Sequence, residues 1–450
     1  MLLMLYCILF LAYFSSLFYD SFYLQYGIGI LAILSWIFSF KNSYKLFRII
    51  SIIFMVIGLV FFVLKDISLM RIPLFMTSTI TMLAILFVLP FINSVIIIGR
   101  YDRNVNKLLN SRVKSLSELY FRSSLVSFLL GSILNLATIP LIDSVLKKNL
   151  KDYPIKLRNK FISSSLLRGY ALCLIWSPME ILVAISIETT ETTYLEILPW
   201  LLFCAFTLLM IDWFSGQRFN EYKLDDQSNQ IIQIDSKIYR KIIQLIIYLI
   251  AFITVIIFAN KYLNLGFLAT VSIVILPYSL IWALSIKRFK SYIKYTIPMW
   301  KARTLGLNSY IVLFISVGFF TTTLSYTGYL AYVQKPIELL SNIPIALFFT
   351  IQFLFLGFAM IGFHPLVTIS LLAVILEGIP TEIISPVSLA IVLITSGLST
   401  VMAGPYNVSV SLMGTLLQVN PYRISLWNIR YALLFSTIGS LTALVTLYIF

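Results

Sequence analysis

Long apolar segments separated by short polar connections follow one another along the whole chain. Most have the length that an α-helix needs to cross the hydrocarbon of a bilayer, roughly 20 residues. The pattern predicts spans near residues 1–19, 21–40, 46–64, 74–97, 161–187, 197–214, 243–260, 262–285, 304–333, 386–419 and 431–449. The predicted fold class is therefore an all-α polytopic membrane protein with about 11 transmembrane helices.

Composition supports this class. The chain is 60% hydrophobic and 11% charged, more apolar than a soluble domain of its size can bury. Residues 1–19 have no basic leading region and no clear cleavage site, so we expect a first span rather than a signal peptide. Cys7, Cys173 and Cys204 lie in apolar spans without metal-ligand spacing, so we predict buried cysteines rather than a disulfide or a metal site. We expect no cofactor, apart from a transported Na⁺ or H⁺.

The basic residues define the predicted orientation. Of 33 lysines and arginines, 28 lie in six connections, at 41–48, 98–122, 147–160, 215–242, 286–303 and 420–430. Basic loops stay cytoplasmic, which places the amino terminus in the cytoplasm and the carboxyl terminus outside. Because these charges lie in loops between spans, the net charge of +15 indicates membrane orientation and no nucleic-acid partner.

Two further apolar runs lie between connections that belong on the same side of the membrane. Run 123–146 separates the basic connections 98–122 and 147–160, which carry 6 basic residues each. A full crossing would place one of them outside. We therefore predict a re-entrant hairpin from the cytoplasmic side, with Gly131 to Thr138 at its tip.

Run 342–376 lies between two connections that are expected on the external side of the membrane. Its flanks, 334–341 and 377–385, are acidic and should be external. We predict a second re-entrant hairpin that turns near residues 362–365, and the run's 35 residues leave a long tilted span open. The predicted organisation is a leading helix (1–20), a first repeat (21–214), a cytoplasmic linker (215–242) and an inverted second repeat (243–450).

Interrupted apolar segments also recur at matching positions of the two halves. Thr138-Ile139 aligns with Thr368-Ile369 at an offset of 230, and Ser177-Pro178-Met179-Glu180 aligns with Gly404-Pro405-Tyr406-Asn407 at an offset of 227. Paired interruptions of this kind are the best sequence indication of a secondary transporter's binding site. A helix break presents free N–H groups, suited to an anion, and free carbonyls, suited to a cation.

The candidate residues for binding solute or ion lie at the tips and breaks. They are Asn135, Thr138, Ser177, Pro178, Glu180, His364, Thr368, Gly404, Pro405 and Asn407. Intramembrane carboxylates are expensive and usually functional, which favours a proton or cation role for Glu180. His364, the only histidine, is either packed at a tip or a titrating ligand. We expect Arg168 to extend toward the cytoplasmic surface, with substrate binding as the alternative role. We expect Asp143 and Asp212 to be solvated near cytoplasmic span ends.

This layout resembles the ion transporter superfamily, which includes the divalent-anion/sodium symporters. The family's Ser-Asn-Thr tip motif is only partly present, since the tips read Leu134-Asn135-Leu136-Ala137-Thr138 and His364-Pro365-Leu366-Val367-Thr368. The resemblance implies eleven spans, two opposed hairpins and alternating access. With the breaks, it predicts secondary transport of a small anionic, carboxylate-type solute, driven by a Na⁺ or H⁺ gradient. The expected partners are the solute and the bilayer, and a homodimer is left open.

Two other classes of membrane protein fit the sequence less well. A membrane enzyme or a flippase acting on lipid-linked saccharide would need a large polar loop or a polar lumen. The single histidine, the short external connections and the few intramembrane charges argue against both.

The charge pattern gives the first testable prediction. Residues 98–122 and 147–160 should face the cytoplasm together, because each carries 6 basic residues. Single cysteines in each segment of a cysteine-free variant should both resist an impermeant thiol reagent applied from outside. Labelling of only one segment from outside would contradict the hairpin between them.

Overall fold

The computed structural model of the protein describes residues 1–100, 113, 115–221, 236–376, 379 and 383–449. In these ranges the chain is helical, and no β-strand occurs. Ten helical segments among the described residues are long and apolar enough to cross a membrane. The predicted class, an all-α polytopic membrane protein, is confirmed.

The helices are numbered here in chain order. The first ten are α1 (Leu2–Ser16), α2 (Phe22–Phe40), α3 (Lys45–Leu64), α4 (Ile72–Phe75), α5 (Ile80–Gly99), α6 (Leu116–Leu134), α7 (Thr138–Asn149), α8 (Ile155–Leu174), α9 (Ile181–Thr190) and α10 (Tyr194–Gly216). The others are α11 (Ser236–Leu263), α12 (Phe267–Ser285), α13 (Phe289–Leu305), α14 (Asn308–Thr327), α15 (Leu330–Ser341), α16 (Pro344–Ile361), α17 (Pro365–Leu376), α18 (Pro386–Ala403), α19 (Val408–Leu417) and α20 (Pro421–Leu447). Short 3₁₀ turns lie at Leu69–Arg71, Asn135–Ala137 and Gln217–Phe219.

Some predicted boundaries change. The predicted span 304–333 is two helices, because α14 ends at Thr327 and Gly328, at φ 73°, turns the chain toward α15. The connection 286–303, expected to be a loop, contains most of α13. The lysines and arginines spaced along this segment made it look like a polar loop in the sequence. Parts of three predicted connections lie outside the described residues, namely 101–112 and 114, 222–235, and 377–378 with 380–382.

Both predicted hairpin runs form a pair of helices joined by a short turn. In the first pair, α6 and α7, the turn at Asn135–Ala137 lies within the predicted tip. In the second pair, α16 and α17, the chain turns at residues 362–364, so run 342–376 is not one continuous helix. Since α16 alone is long enough to span, return of either pair to its own side of the membrane remains a prediction.

Proline sets several helix starts in the second half of the chain. Pro344, Pro365, Pro386 and Pro421 are the first residues of α16, α17, α18 and α20. Proline suits this position because the first helical N–H has no intrahelical acceptor and φ is already near the helical value. These starts can therefore be read from the sequence.

The chain forms two compact units. Unit 1 comprises residues 1–98, 253–342 and 369–380, and unit 2 comprises residues 99–252, 343–368 and 381–450. Each unit takes residues from both predicted repeats. The repeat boundaries 21–214 and 243–450 describe a different division, and they remain a prediction.

Unit 1 is built on close helix contacts and a buried hydrogen-bond cluster. Tyr6 of α1 is fully buried, and its hydroxyl lies 2.6 Å from Ser39 Oγ of α2 and donates to Asn308 Oδ1 of α14 at 2.6 Å. A side chain at Gly58 of α3 would meet the Phe319 ring of α14 at 2.9 Å. Small residues thus let these apolar helices approach closely.

One order of elements occurs twice along the chain, and unit 2 contains all of it except residues 369–376 of α17, which belong to unit 1. A helix pair (α6–α7), an interrupted helix (α8–α9) and a long helix (α10) are followed later by a second pair (α16–α17), a second interrupted helix (α18–α19) and a second long helix (α20). The predicted interruptions are therefore real helix breaks. We call residues 175–180 the first break and residues 404–407 the second break.

Equivalent positions of the two halves are separated by one constant number of residues, whereas the sequence alignment gave two different offsets. Positive φ angles occur at Asn135 and Gly362, which end α6 and α16, and at Glu191 and Gln418, which end α9 and α19. Both 362 − 135 and 418 − 191 give 227. The starts of α7 and α17 are also 227 apart, so Thr138 corresponds to Pro365. The offset of 230 at the tips was wrong by three residues, almost one helical turn.

Candidate functional site

The first break exposes the ends of α8 and α9. Two turn-like bonds cross it: the Ser177 amide donates to the Leu174 carbonyl at 3.2 Å, and the Glu180 amide donates to the Ser177 carbonyl at 3.1 Å. Pro178 has no N–H to continue the helix. Ser177 and Pro178 are buried, and Glu180 is half-buried.

The second break is shorter and is closed in a similar way. The Gly404 amide donates to the Thr400 carbonyl at 2.7 Å, and the Asn407 amide donates to the Gly404 carbonyl at 2.9 Å. Gly404 and Pro405 are buried, whereas Asn407 is half-buried. Each break therefore has a buried proline and ends on a half-buried polar side chain.

Glu180 and Asn407 occupy equivalent positions, each directly preceding the helix that resumes after its break. Asn407 is the N-cap of α19, and its Oδ1 accepts from the Ser409 amide at 3.3 Å and from the Ser409 hydroxyl at 2.9 Å. The Glu180 carboxylate faces the Ile181 and Leu182 amides of α9, but it lacks the geometry of a formed capping bond. The two half-helix amino ends thus differ in charge.

Reciprocal packing joins the two interrupted helices within unit 2. α9 packs against α18, and α19 packs against α8, so each half-helix lies beside the opposite half of the other interrupted helix. A side chain at Gly397 of α18 would meet Leu182 of α9 at 3.3 Å. At the other end, Lys147 Nζ of α7 donates to the Leu416 carbonyl of α19 at 2.7 Å. The two interrupted helices therefore contact each other through both of their halves.

The first turn lies beside the first break. Tyr170, one turn before the end of α8, donates its hydroxyl hydrogen to Asn135 Oδ1 at 2.5 Å. Asn135 also accepts from the Leu136 amide at 2.7 Å, and a side chain at Gly131 would run into Cys173. Tyr170 was missed as a site residue because an aromatic residue in an apolar span is ordinary.

The second turn lies beside the second break. A side chain at Gly404 would meet Ala359 of α16 at 3.2 Å. The Tyr422 hydroxyl lies 3.3 Å from the Met360 carbonyl and 3.1 Å from the Tyr406 hydroxyl, so it connects the end of α16 to this break. His364 accepts from the Leu366 amide at 3.3 Å through Nδ1, a contact that helps to close the start of α17.

The two candidate threonines have unsatisfied hydroxyls. Thr138 and Thr368 are both fully buried, and neither hydroxyl has a hydrogen-bond partner within the described chain. A buried hydroxyl without a partner is unfavourable, so a bound group that accepts or donates would stabilise either one. The bonds described for Asn135 lie in the first half and those of Asn407 lie in the second, so no direct bond joins these two candidates.

Glu180 has no cationic partner in the described part of the chain. The ion pairs there join Arg122 to Glu118, Lys147 to Asp143, and Arg168 to Asp212. A carboxylate within an apolar stretch is costly to ionise unless a cation or a proton accompanies it. A proton or a small cation at this carboxylate would remove that cost.

Two buried carboxylates and a buried arginine of unit 2 form ion pairs, contrary to three expectations from the sequence. Arg168 is 4% exposed rather than extended toward the surface, and Asp212 is fully buried rather than solvated. Arg168 Nη1 lies 3.1 Å from Asp212 Oδ1. Asp143 was also expected to be solvated, but it is 3% exposed and pairs with Lys147 at 2.8 Å.

Further polar groups complete the Arg168–Asp212 network. Asp212 accepts from the hydroxyls of Tyr120 and Ser124, both at 2.8 Å, which ties it to α6. Arg168 donates to Asn428 Oδ1 at 3.1 Å and lies 4.6 Å above the Tyr431 ring, which ties it to α20. The Arg168–Asp212 network therefore joins four helices, α6, α8, α10 and α20.

Comparison with known proteins finds a solved structure with a similar fold. No protein-family model matches the sequence, and no curated protein matches it significantly. The structure is similar to the crystal structure of the YdaH transporter of Alcanivorax borkumensis, with a TM-score of 0.63 and 14% sequence identity. The similarity covers 88% of this chain and 98% of that chain. The chain therefore has the fold of a membrane transporter. A sequence identity of 14% is too low to indicate which substrate this chain binds.

The ion-pair network predicts a stability effect. Asp212→Asn leaves the Arg168 charge buried without its counter-charge, and loss of one partner of a buried pair destabilises by about 3–5 kcal/mol. We expect a clearly lower thermal unfolding midpoint for detergent-solubilised protein. Asp143→Asn is the matched control and should have a smaller effect, because Lys147 is 35% exposed. Replacing both partners, Arg168→Met with Asp212→Leu, should recover most of the loss. Equal midpoints for Asp212→Asn and Asp143→Asn would contradict this role.

Proposed function

We propose that this protein is a secondary active transporter of a small anionic, carboxylate-type solute, driven by a sodium or proton gradient. We further propose that it is a distant member of the ion transporter superfamily. The transporter fold supports transport in general. The arguments for coupling and for an anion come from the two breaks.

The observation that carries the proposal is Glu180 at the first break. It is a half-buried carboxylate at the start of α9, without an ion-pair partner in the described chain. A structural carboxylate in an apolar layer would normally be paired. An unpaired carboxylate beside a helix break is what a site that loads and releases a proton or Na⁺ requires.

Two half-helices support an anionic solute. α9 and α19 both begin at a break, and each helix start carries a partial positive charge and unpaired N–H groups. Their packing against α18 and α8 joins the two interrupted helices. The buried hydroxyls of Thr138 and Thr368 supply further polar groups near the turns. Asn135, Ser177 and Asn407 complete the proposed binding set.

The charge map supports alternating access. If the first helix pair enters from the cytoplasm and the second from outside, the halves are inverted, and each pair separates the site from one face of the membrane. The repeated order of elements and the constant offset of 227 agree with such a repeat. Inversion and re-entry rest on the charges of the connections.

Transport by purified protein in liposomes tests the proposal. A panel of labelled small organic anions is offered with an inward Na⁺ gradient, an inward H⁺ gradient or neither. The wild type should accumulate at least one anion under one gradient. Glu180→Gln should still equilibrate that anion but lose gradient-driven accumulation, because the neutral amide cannot exchange a cation or proton.

Glu191→Gln is the matched control. It makes the same chemical change at the exposed end of α9, and the equivalent residue of the second half is already a glutamine, Gln418. It should transport like the wild type. Normal accumulation by Glu180→Gln under every gradient would make Glu180 structural and would remove the basis for coupling.

A further inference from the structure

We propose, on the basis of the transport function above, that Tyr170 is a positioning residue for the solute. Its hydroxyl and the Leu136 amide occupy the side-chain oxygen of Asn135, so Asn135 meets the solute through its amide nitrogen alone. The turn at Asn135–Ala137 therefore donates hydrogen bonds to an acceptor atom of the solute, such as a carboxylate oxygen. It does not bind the coupling cation through the Asn135 side chain.

The side-chain oxygen of Asn135 is fully used within the protein. A carboxamide oxygen has two lone pairs, and the carboxamide nitrogen carries two hydrogens. Oδ1 accepts from the Leu136 amide at 2.7 Å and from the Tyr170 hydroxyl at 2.5 Å. Because a backbone amide can only donate, its partner must be the oxygen, which settles which side-chain atom points where. A cation finds no free lone pair on this oxygen, and in the proposed function it belongs at Glu180.

The amide nitrogen of Asn135 is available to a ligand. Nδ2 makes no hydrogen bond within the described chain, where the bonds of this side chain all go to its oxygen. Asn135 is half-buried, and Nδ2 is not one of the fully buried polar atoms that lack a partner, so it can be reached. Two N–H donors without a protein acceptor suit an oxygen that carries negative charge.

The packing of Tyr170 fixes the direction of these donors. Tyr170 is 3% exposed, and a side chain at Gly131 of α6 would meet its ring at 3.0 Å. The ring is thus held between α6 and α8, and its hydroxyl stays at the Asn135 oxygen. Turning the carboxamide away would break the bonds from both Tyr170 and Leu136. Tyr170 therefore acts on the solute through Asn135 rather than by touching it.

The backbone at Asn135 supports a role for its side chain beyond closing the turn. Its φ of 50° and ψ of −134° lie outside the left-handed helical region, in a part of conformational space open mainly to glycine. The equivalent residue of the second half, 227 positions later, is a glycine, Gly362, also with positive φ. Glycine would adopt the conformation of the first turn with less strain. Strained residues of this kind cluster at functional sites.

Anion-dependent thermal unfolding of the full-length purified protein tests this inference. The probes are acetate, benzoate, succinate and glutarate as choline salts, titrated at constant ionic strength. At least one should raise the wild-type unfolding midpoint. Tyr170→Phe keeps the ring and its packing, and it should weaken binding of that anion about tenfold, because the carboxamide is no longer oriented. Tyr13→Phe, which loses a 2.9 Å bond to Thr81 in unit 1, is the matched control and should bind like the wild type.

A double variant separates positioning from a direct or merely structural role. Asn135→Gly removes the side chain without straining the turn, and it should weaken binding of the anion. Adding Tyr170→Phe to Asn135→Gly should change the affinity by less than about twofold, since Tyr170 acts only through Asn135. A hydroxyl that touched the solute, or a general loosening of α8, would weaken binding in both backgrounds.

Asn135→Asp tests the polarity of the turn. Aspartate can accept the same two bonds from Leu136 and Tyr170, but it presents a negative oxygen where asparagine presents N–H donors. Binding of the anion should fall at least about a hundredfold. In a separate titration without the anion, Asn135→Gly should leave the response of the midpoint to NaCl, relative to choline chloride, as in the wild type. A weaker response to Na⁺ in Asn135→Gly would identify the turn as a cation site and overturn the inference.

The failures are distinguishable. If the wild type binds an anion and Tyr170→Phe or Asn135→Asp binds it equally well, the inference is wrong and anion transport stands. The same holds if Tyr170→Phe weakens binding as much in Asn135→Gly as in the wild type. If none of the four anions stabilises the wild type, the proposed carboxylate substrate is contradicted, and the inference fails with it.

Discussion

The constraint on which the structure of unit 2 depends is that a helix interrupted in an apolar layer leaves backbone N–H and carbonyl groups without partners. Such groups are tolerated only where other protein groups or a polar cavity satisfy them. Unit 2 meets this constraint twice, with local turns at residues 175–180 and 404–407 and with a helix pair beside each break. In the proposed function, the solute binds to the amides that remain at the starts of α9 and α19.

The two halves have the same order of helices but different residue types at equivalent positions. In the first half, Asp212 of α10 pairs with Arg168 of α8. The residue 227 positions later is Gly439 of α20, which lies so close to Thr395 of α18 that a side chain would collide. The repeat therefore does not need an ion pair at this position. The same asymmetry appears at the breaks, where one half has Glu180 and the other has Asn407.

The sequence predicts those features that depend on residues close together in the chain. Apolar runs marked the spans, and proline and glycine marked the breaks and several helix starts, because these residues act on their own backbone. The tip register failed because Thr-Ile pairs are common in apolar helices, whereas the left-handed residues Asn135 and Gly362 show no identity to align. The pairing of Arg168 with Asp212, 44 residues apart, depends on how α8 and α10 pack, so each residue in isolation looked like a span-end charge. The division into two units depends on contacts between distant segments in the same way.

The central claim is that both breaks line one solute site, and solute protection tests it most directly. Single cysteines at Ser177 and at Tyr406, one in each break, and at Glu191 as a control, are introduced into a cysteine-free variant that still transports. A transported anion should slow modification of the first two cysteines with the same concentration dependence and leave the cysteine at 191 unaffected. Protection of only one break, or half-maximal protection at clearly different concentrations for the two, would contradict a shared site.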